Sequence, residues 1–231
     1  MAVIVFASPK GGAGKTTSAF ILAAELAGRN FRVTIIDADP NHPIDGWRKR
    51  GGQASQLTII TNDKEEKILD AIDDNIKNSD FVIVDLEGTA NLAVGYAIAR
   101  ADLVIVPSQR SSLDAGEAAK AVALVKNQSK MIGRDIPVAL LLTRTSQAIR
   151  PKGLQRMLSS LENNKIDSFS TEMHEREAFK AIFDHVKTLA ELKSAQVSGL
   201  DKARENAAYF AAETLKKISH YRNLNKERAA V

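Results

Sequence analysis

Short apolar runs alternate with longer amphipathic segments along most of the chain. The runs are apolar at nearly every position, as residues 81–84 (Phe-Val-Ile-Val) show. This pattern is typical of strands that are buried on both faces of a parallel sheet. The predicted strands cover residues 3–7, 32–36, 57–61, 81–84, 103–107 and 138–143.

The amphipathic segments predict helices that follow the strands. They cover residues 15–27, 64–77, 91–100, 115–130, 151–163, 175–184 and 200–223. Alternation of strand and helix implies right-handed crossovers. We therefore expect an α/β fold, with a doubly wound, mostly parallel sheet and helices on both faces. The sequence has no Pro/Ser-rich linker and no repeat, which favours a single domain over residues 1–231 with a basic C-terminal helix. The tail, residues 216–231, is polar and basic and is expected to fray at its end.

Composition excludes several classes of protein. A hydrophobic content of 44% is enough for a sizeable core and excludes a wholly disordered chain. Cysteine is absent, which excludes a disulfide scaffold, a thiolate metal site and a thiol nucleophile, and fits a cytoplasmic location. No apolar run reaches the ~18–20 residues that a membrane-spanning helix needs.

Charge is unevenly distributed between the two halves of the chain. Residues 1–115 carry 12 basic and 15 acidic side chains, a balance of −3, whereas residues 116–231 carry 20 and 13, a balance of +7. A basic second half indicates a polyanionic partner, or else only a well-solvated surface.

A glycine-rich loop, residues 8–17 (Ser-Pro-Lys-Gly-Gly-Ala-Gly-Lys-Thr-Thr), joins the first strand to the first helix. That context is the one in which backbone N–H groups converge on phosphate oxygens at a helix N-terminus. Lys15 can then neutralise the β- and γ-phosphates, the Thr16 hydroxyl can bind Mg²⁺, and Thr17 can bind the α-phosphate. The predicted cofactors are ATP and Mg²⁺, and the predicted nucleotide-binding residues are Gly11, Gly12, Ala13, Gly14, Lys15, Thr16 and Thr17.

Carboxylates follow two of the apolar runs. Asp37 and Asp39 end one predicted strand, and Asp85 ends another. Ligands in open α/β sheets bind at the carboxyl ends of the strands, so these side chains are expected in the crevice. Asp85 is expected to hold Mg²⁺ through a water molecule. Glu87 adds a carboxylate nearby without an assigned role.

The loop sequence K-G-G-x-G-K-T, with Lys10 before the glycine pair and Pro9 where the usual motif has glycine, resembles the deviant Walker A motif of the ParA/MinD family of ATPases. The chain is most similar to small ParA-type partition ATPases. The resemblance implies that Lys10 reaches across a nucleotide-sandwich homodimer to the phosphates of the partner protomer. It also implies that Asp39 orients the attacking water and that Asp37 lies near Mg²⁺. The catalytic set is then Lys10, Lys15 and Asp39, and the metal set is Thr16, Asp37 and Asp85.

The chain also departs from the family pattern. Asn41 stands where the family usually has glutamine, and residues 86–88 (Leu-Glu-Gly) replace a common Thr-Pro-Pro. Thr143 and Arg144 stand where relatives contact adenine, without the asparagine that is common there. Arg176 corresponds to a family arginine near the dimer or DNA face, although its glutamate neighbours equally favour a structural ion pair.

The resemblance implies a switch that acts on DNA. ATP-bound dimers of ParA-type proteins coat DNA without sequence preference, and a ParB-like partner triggers hydrolysis and release. A nucleoid-associated cytoplasmic protein, with higher-order assembly on DNA and no membrane partner, is therefore expected. The candidate DNA-binding residues are Arg144, Arg150, Lys152, Arg156, Lys216, Lys217 and Arg222.

Three alternatives share the scaffold. A MinD-like positioning ATPase would need an amphipathic membrane helix, for which Leu215, Ile218, Tyr221 and Leu224 offer a thin apolar stripe. A conjugal DNA-transfer accessory ATPase cannot be separated from a partition protein by sequence. A P-loop metabolic enzyme would need a dedicated small-substrate pocket.

Overall fold

The computed structural model describes residues 1–88, 92–146 and 166–229. An eight-stranded sheet forms the centre of the molecule, in the order β3-β2-β4-β1-β5-β6-β7, with β8 also paired to β6. Every pairing within these ranges is parallel. The strands are β1 (Ala2–Phe6), β2 (Val33–Ala38), β3 (Leu57–Thr61), β4 (Phe81–Leu86), β5 (Leu103–Ser108), β6 (Val138–Thr145), β7 (Asp167–Ser168) and β8 (Met173–His174).

Helices flank the sheet and follow the strands in the chain. They are α1 (Lys15–Gly28), α2 (Pro43–Lys49), α3 (Ile68–Ile76), α4 (Leu92–Arg100), α5 (Ser112–Ile132), α6 (Glu177–Asp184) and α7 (Leu200–Ala229). The predicted α/β class is confirmed. The helix predicted for residues 151–163 lies outside the described residues. The short α2 was not among the predicted helices, because seven residues are too few to show a helical period.

Alternate residues of the strands supply two separate cores. On β1, Ile4 and Phe6 face the core under α1, α2, α6 and α7, while Val3 and Val5 face the core under α3, α4 and α5. All of these side chains are almost fully buried. Burial on both faces explains why the strands appear in the sequence as continuous apolar runs.

The sheet reverses its winding at β1, which lies between β4 and β5. In open α/β sheets, such a topological switch point leaves a crevice outside the carboxyl ends of the strands. The loop that follows β1 begins in this crevice, so the fold places the glycine-rich segment where ligands bind.

The C-terminal helix extends to Ala229, six residues beyond its predicted end at residue 223, and the last two residues lie outside the described ranges. Its apolar stripe is used for packing: Ile218 is 4% exposed in the core under α7, and Leu215 and Tyr221 pack against the same core. Asp167 of β7 accepts hydrogen bonds from Lys217 and Tyr221. Within the described ranges, none of the helices combines the length and the apolarity that crossing a membrane requires.

An aromatic cluster joins α2 to α1 and α6. Trp47 is fully buried, its ring centroid lies 4.8 Å from that of Phe20, and its Nε1 donates to the Ile182 carbonyl over 3.1 Å. Gly52 lies directly against the indole, because a Cβ built there would be 2.4 Å from the nearest ring atom. The backbone after α2 therefore tolerates no side chain at this position.

Gly52→Ala is expected to destabilise the fold by about 1–3 kcal/mol, since the indole is fully enclosed and must shift to admit the methyl group. Gly46→Ala is a matched control in α2, because a Cβ at Gly46 meets nothing within 4 Å. The control is expected to be neutral or stabilising by up to about 1 kcal/mol. Urea unfolding of both variants measures the difference, and equal midpoints would contradict the close approach of Gly52 to Trp47.

Candidate functional site

The glycine-rich loop curls between the end of β1 and the start of α1. Gly12 and Gly14 have φ values of +73° and +87°, a region in which side chains are disfavoured. The Thr143 hydroxyl of β6 donates to the Ala13 carbonyl over 2.7 Å, and a Cβ on Gly14 would lie 3.4 Å from the Thr143 side chain. The loop is thus fixed from outside by β6, and α1 begins with its free N–H groups at the crevice.

Lys15 lies underneath this loop. Its side chain is largely buried, and Nζ donates long hydrogen bonds to the carbonyls of Ser8 and Lys10, at 3.3 and 3.4 Å. Burial lowers the pKa of Lys15, while the carboxylates of Asp85, Asp39 and Glu87 oppose that shift. The ammonium is therefore held by weak acceptors that a phosphate oxygen would readily replace.

Asp85 is the second-to-last residue of β4, lies beside Lys15 and is fully buried. Neither of its carboxylate oxygens has a hydrogen-bond partner among the described residues. Burial raises the pKa of Asp85 to about 7; the neighbouring Thr16 hydroxyl opposes the shift, and Asp37 reinforces it. A buried carboxylate without partners, close to a hydroxyl, is the donor set that a hard divalent cation with phosphate and water ligands takes up. These residues therefore fit Mg²⁺.

Asp37 pairs in register with Asp85 on the neighbouring strand, but its side chain is mainly used in a helix cap. Its Oδ2 accepts hydrogen bonds from the backbone N–H groups of Ile44 and Asp45, both at 2.9 Å, at the start of α2. Burial raises the pKa of Asp37, and these N–H groups oppose the shift. Only Oδ1, which has no hydrogen-bond partner among the described residues, remains for the predicted metal role.

Asp39 lies in the loop between β2 and α2, at the edge of a cavity beside the glycine-rich loop that we call the phosphate cavity. Its Oδ1 accepts hydrogen bonds from the backbone N and the side-chain Nδ2 of Asn41, at 2.9 and 3.0 Å. Asn41 stands where the family usually has glutamine, and it orients the carboxylate that is predicted to position water. The cavity, of about 390 Å³, is bounded by the glycine-rich loop on one side and by Asp39, Glu87 and Gly88 on the other.

The segment after β4 closes against the loop at Gly88. A Cβ there would lie 3.3 Å from the Pro9 carbonyl and 3.4 Å from Lys15 Nζ. Glu87 lines the same cavity and acts electrostatically on Lys15. The structure thus brings Glu87 to the phosphate site, although the sequence motifs gave it no role.

Lys10 is held within its own chain. Its Nζ forms a 2.5 Å ion pair with Oδ1 of Asp114, in the first turn of α5, whose side chain is only 3% exposed. Asp114 is also hydrogen-bonded to Ser111, the N-cap residue of α5. To reach a partner protomer, Lys10 would first have to leave Asp114.

The predicted DNA-binding residues do not form one patch among the described residues. Arg144 lies at the carboxyl end of β6, near the glycine-rich loop. Lys217 is paired with Asp167, which aligns with Ala139 near the start of β6, and its side chain is only 13% exposed. Lys217 is therefore not available for phosphate, which corrects its assignment.

Arg222 also contacts the amino edge of the sheet, where it donates to the Met1 carbonyl and lies 3.9 Å from Asp102. Lys216 is exposed. Arg144 lies at the carboxyl ends of the parallel strands, whereas Arg222 lies at their amino ends. The length of a strand separates these two positions. Arg150, Lys152 and Arg156 lie outside the described residues.

A second cavity, of about 410 Å³, adjoins the loop and shares Gly14 and Thr17 with the phosphate cavity. Its far wall is formed by β8 and α6, with His174, Arg176 and Phe179 among the lining residues. Its size suits an organic group such as a nucleoside. In the sequence, only the family likeness at Arg176 pointed to this region, because β8 has two residues and is placed by pairing with β6.

Among the described residues, no group of three or more His, Asp and Glu side chains is arranged to hold a metal ion. A cation at Thr16 and Asp85 would consequently depend on phosphate and water for most of its ligands, which is usual for Mg²⁺.

Comparison with known proteins agrees with this geometry. A model of the VirC1 protein family matches residues 1–222. The protein named ParA of Rhizobium radiobacter is 36% identical over 219 residues, which cover 95% of this chain and 98% of that protein.

Solved structures show the same fold at low identity. MinD of Aquifex aeolicus is 16% identical, with a TM-score of 0.72 over 94% of this chain and 98% of that chain. A plasmid partition protein of Borrelia burgdorferi bound to AMPPNP is 18% identical, with a TM-score of 0.66 over 92% and 99% of the two chains. Together with the loop that carries Lys10 and Lys15, these matches show that the chain belongs to the VirC1 family, within the ParA/MinD group of ATPases.

Proposed function

We propose that the chain is a Mg²⁺-dependent ATPase that converts ATP and water to ADP and phosphate. The observation that carries this proposal is the buried, unpartnered carboxylate of Asp85 beside Lys15 and the glycine-rich loop. The Lys15 ammonium can bind a phosphate oxygen, and the Asp85 carboxylate can bind a cation. The structure of the Borrelia burgdorferi partition protein, which has the same fold, contains bound AMPPNP, and this supports a nucleotide as the ligand.

Each residue has a separate task in this proposal. Lys15 would exchange the carbonyls of Ser8 and Lys10 for β- and γ-phosphate oxygens. Thr16 and Asp85 would hold Mg²⁺, which when bound neutralises charge that develops on the phosphates. Asp39, fixed by Asn41, would orient water for in-line attack on the γ-phosphate. The described site contains no activating group besides these, so we propose slow turnover until a partner protein binds.

The proposed role is DNA segregation by an ATP-dependent switch. Lys10 would cross to the partner protomer, and the resulting homodimer would bind nonspecific DNA on the nucleoid until a ParB-like adaptor stimulates hydrolysis. The basic balance of +7 in residues 116–231 supports a polyanionic partner. About four phosphate contacts per monomer give a salt slope of about −3.6, and about eight per dimer give about −7, so dimerisation alone strengthens binding steeply at low salt.

The test is binding to random-sequence duplex DNA with Mg²⁺ and either ATP or ADP, over a range of salt concentrations. We expect binding only with ATP, with the steep slope of a dimer. Asp39→Ala should hold the ATP state and bind DNA persistently. Arg150, Lys152 and Arg156 together changed to Glu should lose DNA binding and keep the dimer. Absence of DNA binding in either nucleotide state would contradict the proposal.

A conjugal DNA-transfer role remains the second candidate, because the sequence does not separate it from a partition role. Preference for a transfer-origin duplex over random DNA would favour it. The MinD-like alternative loses its main support, since Ile218 and its neighbours pack inward. Liposome co-sedimentation tests that alternative, and metabolite-dependent hydrolysis tests the metabolic one.

A further inference from the structure

Arg144 occupies an irregular position in the sheet. β6 pairs with β8 through Thr143 with Met173 and Thr145 with His174, so Arg144 is an extra residue between two consecutive pairs. It has a φ of +50°, in the left-handed region that residues with a side chain rarely adopt. Bulges of this kind occur beside active sites, where they redirect a side chain.

The redirected side chain lies where the two cavities meet. Arg144 lines both the phosphate cavity and the second cavity, together with Gly14 and Thr17. It is exposed, and within the described residues no hydrogen bond or ion pair to its guanidinium is found. Among the described residues, its charge acts on Lys180, which has the same sign. Backbone strain at a position whose side chain has no partner among residues 1–88, 92–146 and 166–229 indicates a ligand-dependent role.

We propose that Arg144 is a nucleotide-binding residue whose guanidinium pairs with the α-phosphate, and that it is not a DNA contact. This inference rests on the proposed ATPase function. Lys15 and the loop N–H groups serve the β- and γ-phosphates, whereas Thr17 and Gly14 mark the junction toward the second cavity. The phosphate nearest the sugar lies at that junction, and a planar guanidinium binds it through two parallel hydrogen bonds.

The test compares Arg144→Gln and Arg144→Lys with the wild-type chain by calorimetric titration with Mg²⁺·ADP. Arg144→Gln should weaken ADP binding about 10- to 100-fold, because a hydrogen bond to a charged group is lost. Arg144→Lys should recover part of the affinity, since it keeps the charge and loses the fork. Lys193→Gln removes an exposed charge that lines neither cavity and should leave ADP affinity unchanged.

Other results would overturn the proposal. ADP affinity that is unchanged in Arg144→Gln would exclude a nucleotide contact. If that variant then also lost DNA binding at saturating ATP, Arg144 would return to the DNA-binding set. Equal losses of ADP affinity in the Gln and Lys variants would exclude a contact that depends on the positive charge of residue 144. Wild-type protein that binds no ADP would instead refute the ATPase function itself, so the two failures are distinguishable.

Arg144→Gly separates a binding role from a structural one. Glycine relieves the positive φ, so this variant should unfold at a higher temperature than wild type and yet bind ADP as weakly as Arg144→Gln. If Arg144 instead served only to support the β6–β8 bulge, the glycine variant would lose thermal stability.

Discussion

Replacing Asp85 with asparagine is expected to abolish Mg²⁺-dependent ATP hydrolysis and, at the same time, to stabilise the metal-free protein. Both effects have one cause, the burial of a carboxylate that has no hydrogen-bond partner among the described residues. Without a cation, its ionisation is unfavourable; with Mg²⁺ and ATP, it supplies a ligand charge that asparagine lacks. We expect hydrolysis to fall at least about 100-fold.

The raised pKa of Asp85 determines how the free energy of unfolding of the metal-free protein changes with pH. The Asp85 carboxyl keeps its proton up to about pH 7 in the folded chain, compared with an ordinary pKa of 3.8. Between these values the folded state binds more protons than the unfolded state, so stability is lost as the pH rises from about 4 to about 7. The shift corresponds to at most about 4 kcal/mol, and Asp85→Asn should remove this part of the pH dependence.

Urea unfolding of metal-free protein at pH 5 and pH 8 measures this prediction. Asp80→Asn is the control, because the pKa of Asp80 is shifted in the opposite direction. The exposed Asp80 carboxylate is paired with Arg32, which lowers its pKa. Asp85→Asn should be more stable than wild type at pH 8, and Asp80→Asn should not. Lower stability of Asp85→Asn at pH 8 would show that the carboxylate is satisfied in solution.

The second large effect concerns dimerisation. Lys10→Ala should lose ATP-dependent dimerisation and keep its affinity for nucleotide, because Lys15 and the loop remain. Asp114→Asn should strengthen ATP-dependent dimerisation. It weakens the 2.5 Å ion pair that holds Lys10 in its own chain, and it therefore frees the lysine for the partner protomer. A charged hydrogen bond of this kind is worth about 1.5–3 kcal/mol, so the dimer should form at roughly 10-fold lower protein concentration.

Sedimentation with a slowly hydrolysed ATP analogue checks both variants. Lys120→Ala is the matched control. Lys120 lies on α5, as Asp114 does, and forms an ion pair with Glu117 that is exposed and contributes little to stability. A dimer that forms equally well in Lys10→Ala would show that the lysine stays in its own chain throughout the cycle.

Most of the sheet could be predicted from local pattern alone. β3 was predicted with its observed bounds, and the other main strands differ by one or two residues at their ends. Continuous apolar runs are informative here because the sheet is covered on both faces. The loop and the terminal aspartates were found for the same reason, since their positions follow directly from the strands that they end.

Contacts between distant parts of the chain could not be predicted. Lys10 and Asp114 are 104 positions apart, and no local pattern joins them. The basic residues look like one group in the sequence, but parallel topology sends Arg144 and Arg222 to opposite edges of the sheet. The bulge at Arg144 exists only because two residues of β8 pair there, and so short a strand leaves no periodic signal.

Trp47 is the chain's one tryptophan, and its environment makes it an optical reporter. The indole is enclosed on α2, whose first turn is held by Asp37, two residues before the water-orienting Asp39. A rearrangement of the Asp39 loop on nucleotide binding would be transmitted to α2 and change the surroundings of the indole. Its emission wavelength and quenching by iodide would then follow the nucleotide cycle in real time, in unlabelled wild-type protein.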